Sequence, residues 1–466
     1  MVVSVVGGQR DWSTCRLRRV PAGGLAAGIV AGVVVGLCSG GISANLWLAL
    51  VVLGLLLSGI VSGWIARYGL DWLAPPLLLG MVFTGYFLAR PIAILAGVRP
   101  VAGHSQAMGG AIAMALAGAV AFGVGYLLPV GRALAHRLPW NGQHWSVTRV
   151  RLAMWLAWSL GMVSGVVLLL ETGGVLSRLV TYGRGLAAGL GVIVVATAAL
   201  LGVALASGWL AYWRGLIGRV EIAMITVSSV GMLALHGQRA ALLVPLVMIA
   251  TIYHYTVRRL SGRQIVLLVM AAVLVIGGLG LPRLRLVQMS TADLQPADYI
   301  RVGSWLVLRN LTAFDALMLV TAKVPQETAY QWGKSYADAV RMIVPRWLYS
   351  QKPERNLFNR VLRPGWPGSM ALTLPAEGYL NFGWAGLLAE TLLLGVIYRA
   401  LYVYRKSHPS SESAILAYAL AVPFFGILWR GGLLGGSLGH LLAYGAVAIG
   451  IVLFCNGPKW TVARGK

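Results

Sequence analysis

The sequence predicts an all-α integral membrane protein, with about twelve transmembrane helices and one long external loop between spans 9 and 10. Three observations carry this. Of 466 residues, 58% are hydrophobic and 11% are charged, where a soluble domain carries about 25% charged residues. Mean hydropathy is +0.78. The apolar residues fall in long runs separated by short polar loops. A soluble enzyme, a disordered chain and a disulfide scaffold are thereby excluded.

In chain order the spans fall at 22–40, 44–66, 72–89, 109–129, 152–171, 186–210, 221–238, 240–257, 264–281, 378–402, 413–429 and 436–455. The run at 22–40 is too long for a cleaved signal, and another span follows closely. Residues 302–320 also read as a helix. As a thirteenth span it would bury Arg309, Asn310 and Asp315, at about 2.5–3.5 kcal/mol for each charge. It is therefore expected to lie on the membrane surface or against other spans. No internal repeat or low-complexity linker is visible. Residues 1–466 read as a single polytopic domain, with 282–377 as an external loop subdomain.

Charge sets the orientation. The formal net charge is +25, from 38 basic and 13 acidic residues. In a soluble protein this balance would suggest nucleic acid. Here the positive-inside rule absorbs much of it, so no nucleic-acid partner is expected. With the N-terminus inside, twenty cations fall in inner loops and termini and six in short outer loops. Both termini then lie in the cytoplasm. The remaining twelve cations lie in the 282–377 loop, together with seven acids. Long loops translocate regardless of charge, but so many external cations need a chemical reason.

Several chemistries lack their motifs. There is no GxxxxGK[ST] and no HExxH. Cys15, Cys38 and Cys455 are far apart and form no CxxC, and the seven histidines are scattered. No metal and no cofactor are expected. The first external loop, about 41–43, has no acid. Large metal-dependent glycosyltransferases that use lipid-linked donors usually carry acids there, and the chain does not resemble them.

The candidates are external arginines and nearby carboxylates. Arg239 lies at a turn in LHGQRAALL. A guanidinium there could grip a phosphate through its planar fork, or simply mark topology and contact headgroups. The run QKPERNLFNRVLRPGWPGS brings Lys352, Arg355, Arg360 and Arg363 beside Trp366. These cations could clamp a diphosphate while the indole stacks on a sugar, or form a basic loop attracted to anionic lipid. On a continuous helix Glu377, Asn381 and Trp384 would share one face, and Gly383, Gly386 and Glu390 another. Glu377 could accept a proton from a hydroxyl, or be a first-turn carboxylate favoured by the helix dipole. Glu390 is deeper, and an ionisable group at that depth is a functional or pairing candidate.

GQRAALL before the long loop, VPRWLYSQKPERN late in it, and PAEGYLNFGWAG at the next span together resemble the bacterial repeat-unit polymerases of the O-antigen polymerase (Wzy) type. The last resembles that family's E-x-Y-x-N-F-G-x-x-G pattern. The resemblance covers roughly residues 220–455. Ala240 stands where the first segment favours glycine. The 282–377 loop has no histidine, whereas the related ligases carry a functional one in their long loop, which favours polymerase over ligase.

The resemblance implies a metal-independent glycosyltransferase in the bacterial cytoplasmic (inner) membrane. It would join repeat units carried on polyprenyl (undecaprenyl) diphosphate in exopolysaccharide or O-antigen synthesis. Glu377 and Arg239 would be catalytic, and Arg355, Arg360, Arg363, Trp366 and Asn381 would bind the lipid-linked oligosaccharide. Membrane lipids, a chain-length regulator and a flippase would be its other partners. A ligase and a secondary transporter are the alternatives. The transporter is disfavoured because no pseudo-repeated halves are visible.

Overall fold

The computed structural model describes residues 70–95, 105–138, 144–174, 190–235, 239–278, 311–344, 370–433 and 437–456, with isolated positions elsewhere. The chain divides into two compact units, Met1–Asp71 and Trp72–Lys466. The helix assembly is the second unit. The expected span 22–40 lies outside the described residues, and so does 44–66 apart from Gly54 and Ile65.

Among the described residues the fold is all helical, and each of the other ten expected spans overlaps a helix. Seven helices among the described residues are long and apolar enough to cross a membrane. These are α1 (Pro75–Leu95), α2 (Met108–Leu127), α4 (Val147–Glu171), α5 (Gly191–Trp213), α11 (Leu374–Ser407), α12 (Glu412–Gly431) and α13 (Ser437–Asn456). Between them lie α3 (Pro129–Arg137), α6 (Arg219–Leu235), α7 (Arg239–Thr256), α8 (Gly262–Gly278), α9 (Ala313–Lys323) and α10 (Lys334–Ile343).

Side-chain size decides which helices are central. The middle of α5 is rich in Ala and Gly, and residues 201–208 are all buried. α4, α6, α7 and α13 pack around it. The outward face of α4 exposes Leu152, Leu156, Leu160, Val163, Val167 and Leu170. That spacing of three and four residues is one continuous apolar helix face. A soluble monomer does not expose such a stripe, so a lipid environment accounts for it.

The most extensive helix pair is α2 with α11. Small residues make it possible. A side chain on Gly125 would collide with the Leu392 backbone, and one on Gly395 with the Phe122 carbonyl. Such close backbone approach is how helices associate where lipid removes the hydrophobic drive.

α1 widens to a π-helical turn over Thr84–Leu88, just ahead of Pro91. Pro91 has no N–H to donate to the preceding turn, which accounts for the irregularity. Arg90 follows this turn and meets α9. Its Nε and Nη2 each donate to an Asp315 carboxylate oxygen at 2.8 Å. Both side chains are buried. This settles the place of the 302–320 segment where it is described. Residues 313–320 are buried inside the helix assembly, against α2 and α11. Of the two expected places, this is the packing against other spans. The bidentate partner offsets the cost of burying Asp315.

Candidate functional site

The second structural departure lies in α11. Phe382 (φ −136°, ψ 20°) and Gly383 (φ 64°, ψ −147°) leave helical geometry. The Gly383 conformation is one that essentially glycine alone adopts. On a continuous helix Gly378 and Gly386 would be about 12 Å apart along the axis. Instead, a Cβ on Gly378 would lie 2.8 Å from the Gly386 carbonyl oxygen. Pro375 and Thr391 also converge, at 3.3 and 3.5 Å from the place of a Cβ on Gly118 in α2. Residues 374–381 are therefore a short helix folded back against the start of 384–407. The expected continuous helix is instead broken at Phe382–Gly383, and the two faces shared across that point do not exist. Glycines at 378, 383 and 386 permit the turn and the close approach.

Each end of the short helix is satisfied. Thr373 Oγ1 accepts from the Ala376 N–H at 3.2 Å, an N-cap. The Leu380 and Asn381 carbonyls accept from the Gln331 and Trp332 N–H groups, at 2.9 and 3.1 Å. A segment of the long loop thus caps the orphan carbonyls of the short helix. That segment leads through Gly333 (φ 84°) into α10.

α10 brings the side chains that complete the site. Ser335 donates to Glu377 Oε1 at 2.9 Å. Asn381 Nδ2 donates to Ser335 Oγ at 2.7 Å and to the Glu377 carbonyl at 2.9 Å. Asn381 Oδ1 accepts from the Gly333 N–H at 3.0 Å. Glu377 Oε2 accepts from the Leu433 N–H at 2.6 Å, beyond the end of α12. It also lies where Gly432 (φ 56°) would carry a Cβ. Glu377 is 0% exposed. Its carboxylate ties three segments together: the loop helix α10, the short helix of α11 and the turn after α12.

The second carboxylate, Glu390, is half-buried. Tyr336, next to Ser335 on α10, donates to Glu390 Oε2 at 3.1 Å. Burial, then the charges of Glu390 and Glu377, push the Tyr336 phenol well above its ordinary value. It stays protonated and remains a donor. Its ring stacks on Phe382 at 6.4 Å. An aromatic series continues through Trp332, Tyr330, Tyr379 and Trp384, with ring centres 5.7–6.1 Å apart. Trp332, Phe382 and Trp384 are exposed.

The structure therefore brings Glu377 and Asn381 together, on the short helix rather than on one face with Trp384. The Asn381 side chain is engaged by the protein's own groups. Arg239 opens α7, and only its backbone is described. Arg355, Arg360, Arg363 and Trp366 lie outside the described residues. Ser335, Tyr336, Gly432 and Leu433 do not stand out as site residues in the sequence. The one signal there is the amphipathic pattern of KSYADAVRMI, in which Ser335, Asp338 and Ala339 form the buried face. Among the described residues no three His, Cys, Asp or Glu side chains converge as a metal site would need. No protein-family model, curated protein or solved structure matches this chain.

Proposed function

We propose that the protein is a polysaccharide polymerase of the bacterial cytoplasmic membrane, with both termini in the cytoplasm and the 282–377 loop outside. It joins repeat units carried on polyprenyl diphosphate. A sugar hydroxyl of one lipid-linked unit attacks the anomeric carbon of another, and the lipid diphosphate leaves. Charge gathers on the leaving group as its bond breaks. Preorganised cations in a water-poor site stabilise that charge. Arg239, Arg355, Arg360 and Arg363 are the cations for this role, with Trp366 against a sugar face. A carboxylate at the fold-back of α11 activates the hydroxyl.

The observation that carries this reading is the convergence on one buried network. Glu377, Asn381, Gly383 and Gly386, the positions behind the polymerase resemblance, form the fold-back, and a helix of the long loop is hydrogen-bonded onto it. A large external loop locked onto a membrane helix through carboxylates suits a site between an external sugar and a lipid-borne leaving group. A chain-length regulator and a flippase are the partners such a reaction would need.

The test is glycan length. Purified protein with lipid-linked repeat units should yield a ladder on a gel, with EDTA present as well as without. Loss of the ladder in EDTA, restored by a divalent ion, would remove the arginine mechanism. Arg239→Lys keeps the charge and loses the fork. It should slow turnover about tenfold to a hundredfold, the worth of one charge-assisted bond. Arg178→Lys and Arg184→Lys should be nearly silent. Wild-type chain lengths from Arg239→Lys would mean that Arg239 only marks topology.

A further inference from the structure

Two carboxylates meet at the fold-back, and they are not equivalent. Glu377 is sealed from solvent, and both its oxygens already accept hydrogen bonds, from Ser335 and from the Leu433 N–H. Protonating Oε2 would set a proton against the Leu433 N–H that it accepts from, and protonating Oε1 would reverse the Ser335 bond. Glu390 is half-buried. Its Oε2 is held by Tyr336, while its Oε1 is buried with no hydrogen-bond partner among the described residues. A buried acceptor without a donor is rare in native proteins and needs an explanation. A substrate hydroxyl is a donor of the right kind.

We propose that Glu390 is the catalytic base, taking the proton of the attacking sugar hydroxyl on Oε1, with Tyr336 as the positioning residue that holds Oε2. The proposal rests on the polymerase reading and gives that site its base. Glu377 becomes the buried support of the base rather than the base itself.

The step balances. The acceptor oxygen forms a bond to the anomeric carbon. The bond from that carbon to the diphosphate oxygen breaks, and its electron pair leaves with the polyprenyl diphosphate. The hydroxyl proton passes to Glu390 Oε1, which becomes a neutral acid and later releases it to water. Among the described residues, the titratable groups that face Glu390 are Tyr336 from α10 and Glu377 from its own helix. No redox partner is involved.

The geometry also sets what each variant should do. Tyr336 reaches Glu390 from the external loop, so loop docking and base orientation are one event. Tyr336→Phe leaves the carboxylate in place but frees it to rotate. Glu390→Gln is close in size and removes the base. The Tyr336 phenol that bonds the carboxylate can donate equally well to an amide oxygen. Folding should therefore survive the change.

The experiment uses the full chain in lipid nanodiscs with a synthetic polyprenyl-diphosphate repeat unit. Turnover is followed against pH, and binding of the lipid-linked unit is measured separately. Glu390→Gln should lower turnover by about 10²–10⁴-fold, the usual worth of a general base, with binding unchanged. Tyr336→Phe should lower kcat more modestly, leave KM in place and move the acid limb of the rate profile. A purely structural tyrosine would leave that limb alone. Wild-type turnover by Glu390→Gln overturns the proposal and leaves the polymerase reading standing. No ladder from the wild type overturns both. Should Glu390→Gln fail to insert, Tyr336→Phe decides: a moved acid limb supports the proposal, and an unmoved one overturns it.

Discussion

Glu412 and Glu390 are both carboxylates drawn into the helix assembly, and each has one oxygen without a hydrogen-bond partner among the described residues. Their surroundings differ in charge. Glu412 opens α12 behind an N-cap from Ser411. Arg214 Nε lies 3.6 Å from it and His144 Nδ1 3.3 Å. Nearby, Ser413 accepts from Trp145 and Asn456, so three loops and the end of α13 are stapled there. Asp315 is balanced in the same way, by Arg90. Glu390 has a neutral phenol and a second carboxylate beside it. A buried carboxylate matched by a cation is a staple. Glu390 has no such cation within ion-pair distance among the described residues, so its surroundings do not make it a staple of this kind.

This contrast is broken most sharply at the Arg90–Asp315 pair. Arg90→Met leaves Asp315 buried without its guanidinium. Removing one partner of a buried pair costs about 3–5 kcal/mol. Thermal unfolding in detergent should show this as a large loss of stability. Glu390→Gln should behave in the opposite way, costing activity and little stability. If Arg90→Met melts like wild type, the pair is not a staple and the comparison fails.

Ser335→Ala sharpens it next. The change removes the hydroxyl that donates to Glu377 Oε1 and accepts from Asn381. A hydrogen bond to a charged group contributes about 1.5–3 kcal/mol. Undocking of α10 is expected, read as faster amide exchange or proteolysis within 334–343, with turnover falling in parallel. Activity lost without any change in protection would assign Ser335 to the substrate instead.

The smallest effect is alkaline. The Tyr336 phenol keeps its proton above pH 10, where an unfolded tyrosine releases it. The folded state then binds more protons than the unfolded chain, so stability falls as pH rises beyond 10. Tyr336→Phe should flatten that decline. Identical slopes for both proteins would show that the phenol is not held between the two glutamates.

Much of the scaffold is legible in the residues alone. Apolar runs such as 191–213 must leave water, and a run of that length closes its backbone bonds only as a helix. Residues 374–390 stand out for composition: two carboxylates, an asparagine and closely spaced glycines in and beside a span. Their arrangement does not. A helical period assumes an unbroken helix, and the Phe382–Gly383 break invalidates every face drawn across it. Glu390 can be marked as needing a partner, but Tyr336 lies 54 residues away in sequence. Asp315 reads as a cost because Arg90, 225 residues distant, cannot be matched to it along the chain.

What the sequence by itself determined was the class of environment and the helices that answer to it, because hydrophobicity and helical hydrogen bonding are local properties. It also determined that carboxylates and arginines would gather near one stretch of chain. Only the tertiary structure decided which carboxylate has both oxygens hydrogen-bonded and which has one buried oxygen without a partner among the described residues. That choice depends on Ser335 and Leu433 reaching Glu377, and on Tyr336 reaching one oxygen of Glu390. Hydrogen bonds act over about 3 Å, and which groups come that close is set by how α10, α11 and α12 pack rather than by any spacing along the chain.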